Sequence, residues 1–71
     1  MRQRVRLDTM TDINKFVEVV SRIDERVFLE DNTGYKVSAC SLLGAILSME
    51  WQEVYCYCDK DISGLILPWI I

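Results

Sequence analysis

The sequence predicts an α+β fold, an open-faced two-layer sandwich with its helices on one face of an antiparallel sheet. Three observations lead there. Apolar and polar residues alternate in four short segments. Apolar residues recur at helical spacing in one longer segment, and the segments follow one another as β-α-β-β-α-β-α. The 71 residues form a single domain, 1–71, with no room for a linker or a second core. A chain this short buries only roughly 60% of the surface its unfolded form exposes. An apolar fraction of 51% answers that difficulty with a dense core, an apolar surface left for a partner, or some of each.

The first strand runs from Arg2 to Leu7, with Arg2, Arg4 and Arg6 on one face and Val5 and Leu7 on the other. The loop Asp8-Thr9-Met10-Thr11 leads into a helix from about Asp12 to Arg22, with Thr11 or Asp12 as N-cap. Ile13, Phe16, Val17, Val20 and Ile23 form its apolar stripe, and Val19 departs from the pattern. A strand from Arg26 to Glu30 turns Val27 and Leu29 inward. Asp31-Asn32-Thr33-Gly34 makes the hairpin loop, with residues suited to positive φ. The return strand, Tyr35 to Ala39, places Tyr35, Val37 and Ala39 inward. A short helix from about Ser41 to Met49 follows, in which Gly44 marks a close approach. Val54 to Cys58 is the fourth strand. Asp59-Lys60-Asp61 then caps the apolar segment Ile62 to Ile71, which gives one or two helical turns and an irregular end because Pro68 lacks an N–H.

The bulk properties exclude several classes. A net charge of −3 argues against a nucleic-acid binder, which needs a basic face to neutralise phosphates. Leu65 to Ile71 is too short to span a bilayer, and no charged segment followed by an apolar one opens the chain as a signal peptide would. A soluble cytoplasmic protein is expected, without membrane association. Cys40, Cys56 and Cys58 are odd in number and form no disulfide framework. Cys56 and Cys58 face the same side of a strand as small apolar residues. With no histidine in the chain and no CxxC, neither a metal site nor a cofactor is expected.

The element order, with Val37-Ser38-Ala39-Cys40-Ser41-Leu42-Leu43-Gly44 entering the second helix, resembles HPr, the phosphocarrier protein of the bacterial sugar phosphotransferase system. Lys15-Phe16-Val17-Glu18 in the first helix and the hairpin from Val27 to Val37, with its turn glycine Gly34, match that family as well. The resemblance covers nearly the whole chain and implies the sheet order 1-4-2-3, with the third helix truncated. The family has lysine before the helix-entry serine, where this chain has Cys40. Its phosphoryl group is carried on a histidine in the loop after the first strand, beside an arginine and a proline. Counting back from Phe16 puts those positions at Thr9, Thr11 and Asp12, a degenerate active-site loop. A phosphoramidate needs an imidazole nitrogen as nucleophile, and Asp12 sets its own negative charge where helix amides would welcome an anion. The expectation is a non-enzyme resembling the histidine-less catabolite-repression HPr-like type. The retained Ser41 is the position that a serine kinase modifies in the Gram-positive branch before the protein binds transcription regulators. The plainer role of Ser41 is an N-cap bonding the Gly44 amide.

Two surfaces are candidates for a partner. The open sheet face carries Arg2, Arg4, Arg6, Arg26, Phe28, Glu30, Lys36, Ser38, Glu53, Tyr55, Tyr57 and Asp59. It is either a self-satisfied solvated face or a homodimer or partner surface anchored by Phe28, Tyr55 and Tyr57. The second is the short helix, whose Leu42, Leu43 and Ile46 divide between core and interface, with Trp51 at the border. The alternative function is a ferredoxin-like small-molecule or metal-binding domain, which shares the β-α-β-β-α-β order but orders its strands 4-1-3-2.

Overall fold

A computed structural model describes all 71 residues. Its elements are β1 (Arg2–Val5), α1 (Met10–Ser21), β2 (Val27–Glu30), β3 (Lys36–Ser38), α2 (Leu42–Ser48) and β4 (Val54–Cys58). The strands form one antiparallel sheet in the order β1-β4-β2-β3, and not the 4-1-3-2 of the ferredoxin-like alternative. In place of a third α-helix, two 3-10 turns span Ser63–Leu65 and Leu67–Trp69.

The register follows from the alternation of each strand. Arg2 pairs Tyr57 and Arg4 pairs Tyr55 across β1 and β4, while Phe28 pairs Tyr57 and Glu30 pairs Tyr55 across β2 and β4. Because side chains alternate with period two, this turns Val5, Val27, Leu29, Val54, Cys56 and Cys58 to the inner face, where all are buried. Ile13, Phe16 and Val20 descend onto them from α1, all fully buried. A one-residue slip in any strand would reverse its faces, so the inner row holds the register.

The C-terminal segment closes the core and one sheet edge together. Ile62, Ile66 and Trp69 are buried, and the Trp69 ring meets Phe16 edge-to-face at 5.3 Å. The Arg6 amide donates to the Trp69 carbonyl at 2.8 Å, the Ile71 amide donates to the Arg4 carbonyl at 3.3 Å, and Val5 bridges Ile70. The tail therefore pairs with the free edge of β1, an edge that would otherwise present unpaired backbone groups.

Several sequence expectations need correction. The helix α1 starts at Met10 and not at Asp12, and its N-cap is Thr9 and not Thr11 or Asp12. The reason is the spacing of Thr9 and Asp12, which forms a reciprocal capping box. Tyr35 does not point inward. It lies before β3, is exposed, and stands edge-on to Trp51 at 5.9 Å. The strand alternation does not extend to it because the hairpin loop still governs the backbone there. Asp31 accepts the Thr33 hydroxyl at 2.7 Å, the Thr33 amide at 2.8 Å and the Tyr35 amide at 3.0 Å, with Gly34 at φ +94°. β1 stops at Val5, although Leu7 is buried as expected.

Two outcomes follow from this packing. Replacing Trp69 by alanine removes the plug against Phe16 and should cost about 3–5 kcal/mol, a large part of a small domain's stability, measured by urea denaturation. The second concerns Asp31, whose carboxyl is held below its ordinary 3.8, chiefly by the Thr33 hydroxyl. A lowered acid pKa contributes stability above the unfolded value that is lost as pH falls through the folded one. Amide exchange at Thr33 and Tyr35, corrected for its intrinsic pH dependence, should therefore lose protection below about pH 4. Unchanged protection at pH 2 would remove Asp31 from the account of the turn.

Candidate interaction surfaces

The first loop is closed by its own side chains. The Thr9 hydroxyl oxygen accepts the Asp12 amide at 3.1 Å, and Asp12 Oδ2 accepts the amides of Asp8 and Thr9 at 3.2 and 3.3 Å. The Asp12 carboxylate thus sets a negative charge at the start of α1, where an incoming anion would have to sit. Thr11 is an exposed residue inside the first turn of α1. No three carboxylate or thiol side chains converge into a set that would hold a metal ion.

The helix α2 has an unusual distribution of sizes. Its inner side is small: Ala45 and Ser48 are fully buried, and a Cβ on Gly44 would stand 3.0 Å from the Ser38 carbonyl and 3.3 Å from Val37 Cβ. The glycine is therefore required by a close approach of α2 to β3. Ser48 is satisfied within the helix, its hydroxyl donating to the Ala45 carbonyl at 2.6 Å. The large apolar residues point the other way. Leu43 is 80% exposed, Leu42, Leu47 and Met49 are also exposed, and Ile46 is half-buried against the core. No charged residue occurs from Ala39 to Met49. Of the three α2 residues the sequence singled out, two are free and one packs inward, and Leu47 and Met49 join the patch. The small residues at positions 44, 45 and 48 are the signal that would have located its outward face. Ser41 caps α2, accepting the Gly44 amide at 3.2 Å, and is exposed.

The open sheet face carries the row the alternation assigned, but its aromatic rings are not bare. The Arg2 guanidinium lies 3.6 Å over the Tyr55 ring, and its Nε donates to Glu30 at 2.6 Å. Glu30 is only 9% exposed, and its hydrogen bond raises the Arg2 pKa. Lys36 sits 4.0 Å over the Tyr57 ring, and Phe28 leans on the same ring at 6.4 Å. The Tyr55 hydroxyl donates to Glu53 at 2.7 Å and the Tyr57 hydroxyl to Asp59 at 3.3 Å. The negative charge of Asp59 raises the Tyr57 pKa. Phe28 and Tyr57 are direct cross-strand partners and Arg2 reaches Tyr55 on the diagonal, while the Arg2–Glu30 and Lys36–Tyr57 contacts each span an intervening strand. Phe28, Tyr55 and Tyr57 are half-buried beneath this crust, so the face presents cations first and aromatic surface second.

The thiols divide by environment. Cys56 and Cys58 are fully buried on the inner face, and burial, with the neighbouring Cys58 adding to it, pushes the Cys56 thiol up to about 12. Cys40 is exposed before α2. A thiol reagent at neutral pH should titrate one cysteine in the native protein and three in denaturant. Rapid native labelling of two or more would contradict the burial of the β4 pair. In comparisons with known proteins, no family model matches the chain, and no curated protein or solved structure matches it significantly.

Proposed function

We propose that this chain is a non-catalytic interaction module on the HPr scaffold, a cytoplasmic bacterial regulatory protein that docks a protein partner through the outward face of α2. The observation that carries the proposal is the inverted helix. A helix free of binding duties would turn Leu43 and Leu47 to the core and small or polar residues to water. Here Gly44, Ala45 and Ser48 face the sheet and the leucines face solvent. Leu42, Leu43, Leu47 and Met49 together form a contiguous uncharged ridge, the kind of patch that a monomer seldom leaves without a use.

The first loop supports the non-catalytic half of the reading. The chain has no imidazole, and the Asp12 carboxylate, bonded to the Asp8 and Thr9 amides, sets a negative charge at the start of α1 that opposes a phosphoryl group. Among the hydroxyls discussed, Ser41 is the exposed one at the family's regulatory position, and a serine kinase or a transcription regulator is the partner class which that position implies. No helix is long and apolar enough to cross a membrane.

The proposal is tested in two halves. Incubation with the phosphoenolpyruvate-dependent enzyme of the sugar transport system and labelled phosphoenolpyruvate should leave the protein unlabelled, and acid-labile phosphate would contradict it. A photo-crosslinking residue at position 43 should give discrete protein adducts in the cells that make the chain, while one at position 64, an exposed site in the tail, should give none. Adducts equal at both positions, or at neither, would contradict docking through α2.

A further inference from the structure

The helix α2 carries Leu43 and Leu47 four residues apart on one stripe, with Leu42 and Met49 beside them, and all four are exposed. Together they present roughly 400 Å2 to solvent, the size of the largest apolar patch on an ordinary monomer. No residue from Ala39 to Met49 is charged. A partner recognised by charge would find nothing here to pair with. A second copy of the same helix would find nothing to repel it, because about a two-fold axis each copy meets the same surface on the other. The open sheet face differs on this point. A two-fold pairing of sheet faces would press the Arg2 and Lys36 cations over the tyrosine rings of one copy on those of the other.

We propose that the occupant of the α2 ridge is a second copy of this chain, in a reversible two-fold dimer. The proposal rests on the docking reading of α2 and names an occupant of that face. In an antiparallel crossing each Leu43 packs on the other copy's Leu47, and the helix dipoles lie head to tail. Leu42 and Met49 close the two ends of the contact. Two ridges with their rims bury about 800–1,200 Å2 in total, the small end of the range for specific interfaces. The dimer is therefore weak, with a dissociation constant of about 100 μM. An unlike partner reaches the ridge by competing with self-pairing. Each copy has a net charge of −3, all of it outside the ridge. Salt screens that mutual repulsion and leaves the apolar contact in place, so the dimer tightens as ionic strength rises.

The test is sedimentation equilibrium and NMR of the whole chain from about 10 μM to about 1 mM, a range that brackets the expected constant. The mass should approach that of a dimer as the Leu43 and Leu47 amides shift. Mixed labelled and unlabelled protein should show methyl contacts between Leu43 of one copy and Leu47 of the other. Association should be about two- to threefold tighter in about 0.5 M than in about 0.1 M salt. Leu43→Gln should weaken it about tenfold, and Leu43→Asp, Leu47→Asp should abolish it. Leu65→Asp, a change at an exposed tail position, should associate as the parent does. A parent that stays monomeric at about 1 mM would overturn self-pairing. So would association that survives both ridge variants, is lost in Leu65→Asp, or weakens with salt. Photo-crosslinking at position 43 then separates the two readings. With a monomeric parent, adducts to other proteins leave docking on α2 intact, and an absence of adducts removes that reading as well.

Discussion

The surface organisation of this protein depends on the close approach of α2 to β3 at Gly44. A helix can lie that near a strand only if the residues between them are small, because a Cβ at position 44 would already press on the Ser38 carbonyl at 3.0 Å. Once Gly44, Ala45 and Ser48 occupy the inner side, the helix periodicity leaves Leu43 and Leu47 nowhere to go but outward. The core beneath does not need them. Phe16, Leu29, Ile13 and Val20, with Ile66 and Trp69 from the tail, already fill it. Close backbone packing and an exposed apolar ridge are two consequences of the same short sequence.

The rest of the molecule is finished in ways that make α2 stand out. The tail covers the edge of β1, the Arg2–Glu30–Tyr55 and Lys36–Tyr57 contacts cover the aromatic sheet face, and the Thr9–Asp12 box satisfies the start of α1. In each case groups that would attract a strand, a ring or an anion are occupied by neighbours from the same chain. The ridge from Leu42 to Met49 has no such cover.

Much of the fold was legible in the residues. Strand faces are set by a period of two that context hardly alters, so Arg2, Arg4, Phe28, Glu30, Lys36, Tyr55 and Tyr57 share one face as the alternation placed them. The faces of α2 were not legible by polarity, because Leu42–Ser48 has no charged residue to mark the solvent side. Side-chain size carries that information, and size matters only once the distance to β3 is known. Sequence leaves the start of α1 ambiguous, because Thr9, Thr11 and Asp12 are all capping residues. Only the three-residue spacing of Thr9 and Asp12 lets each bond the other's amide. The cover over Tyr55 and Tyr57 depends on diagonal contacts between strands, which need the register as well as the pattern. The apolar, irregular character of the tail is written in Ile62 to Ile71, but its pairing with β1 joins residues too far apart in the chain for local pattern to reveal.

The central claim is that the large apolar side chains of α2 face solvent and its small ones face the sheet. Equilibrium urea denaturation of Leu43→Asp, Leu47→Asp beside Ala45→Leu tests it most directly. The account predicts that the two charges at exposed positions leave stability within about 1 kcal/mol of the parent. It predicts that one larger side chain at the buried position costs about 1–3 kcal/mol through overpacking. A loss of several kcal/mol in the double aspartate variant, with Ala45→Leu tolerated, would put the leucines in the core and contradict the account.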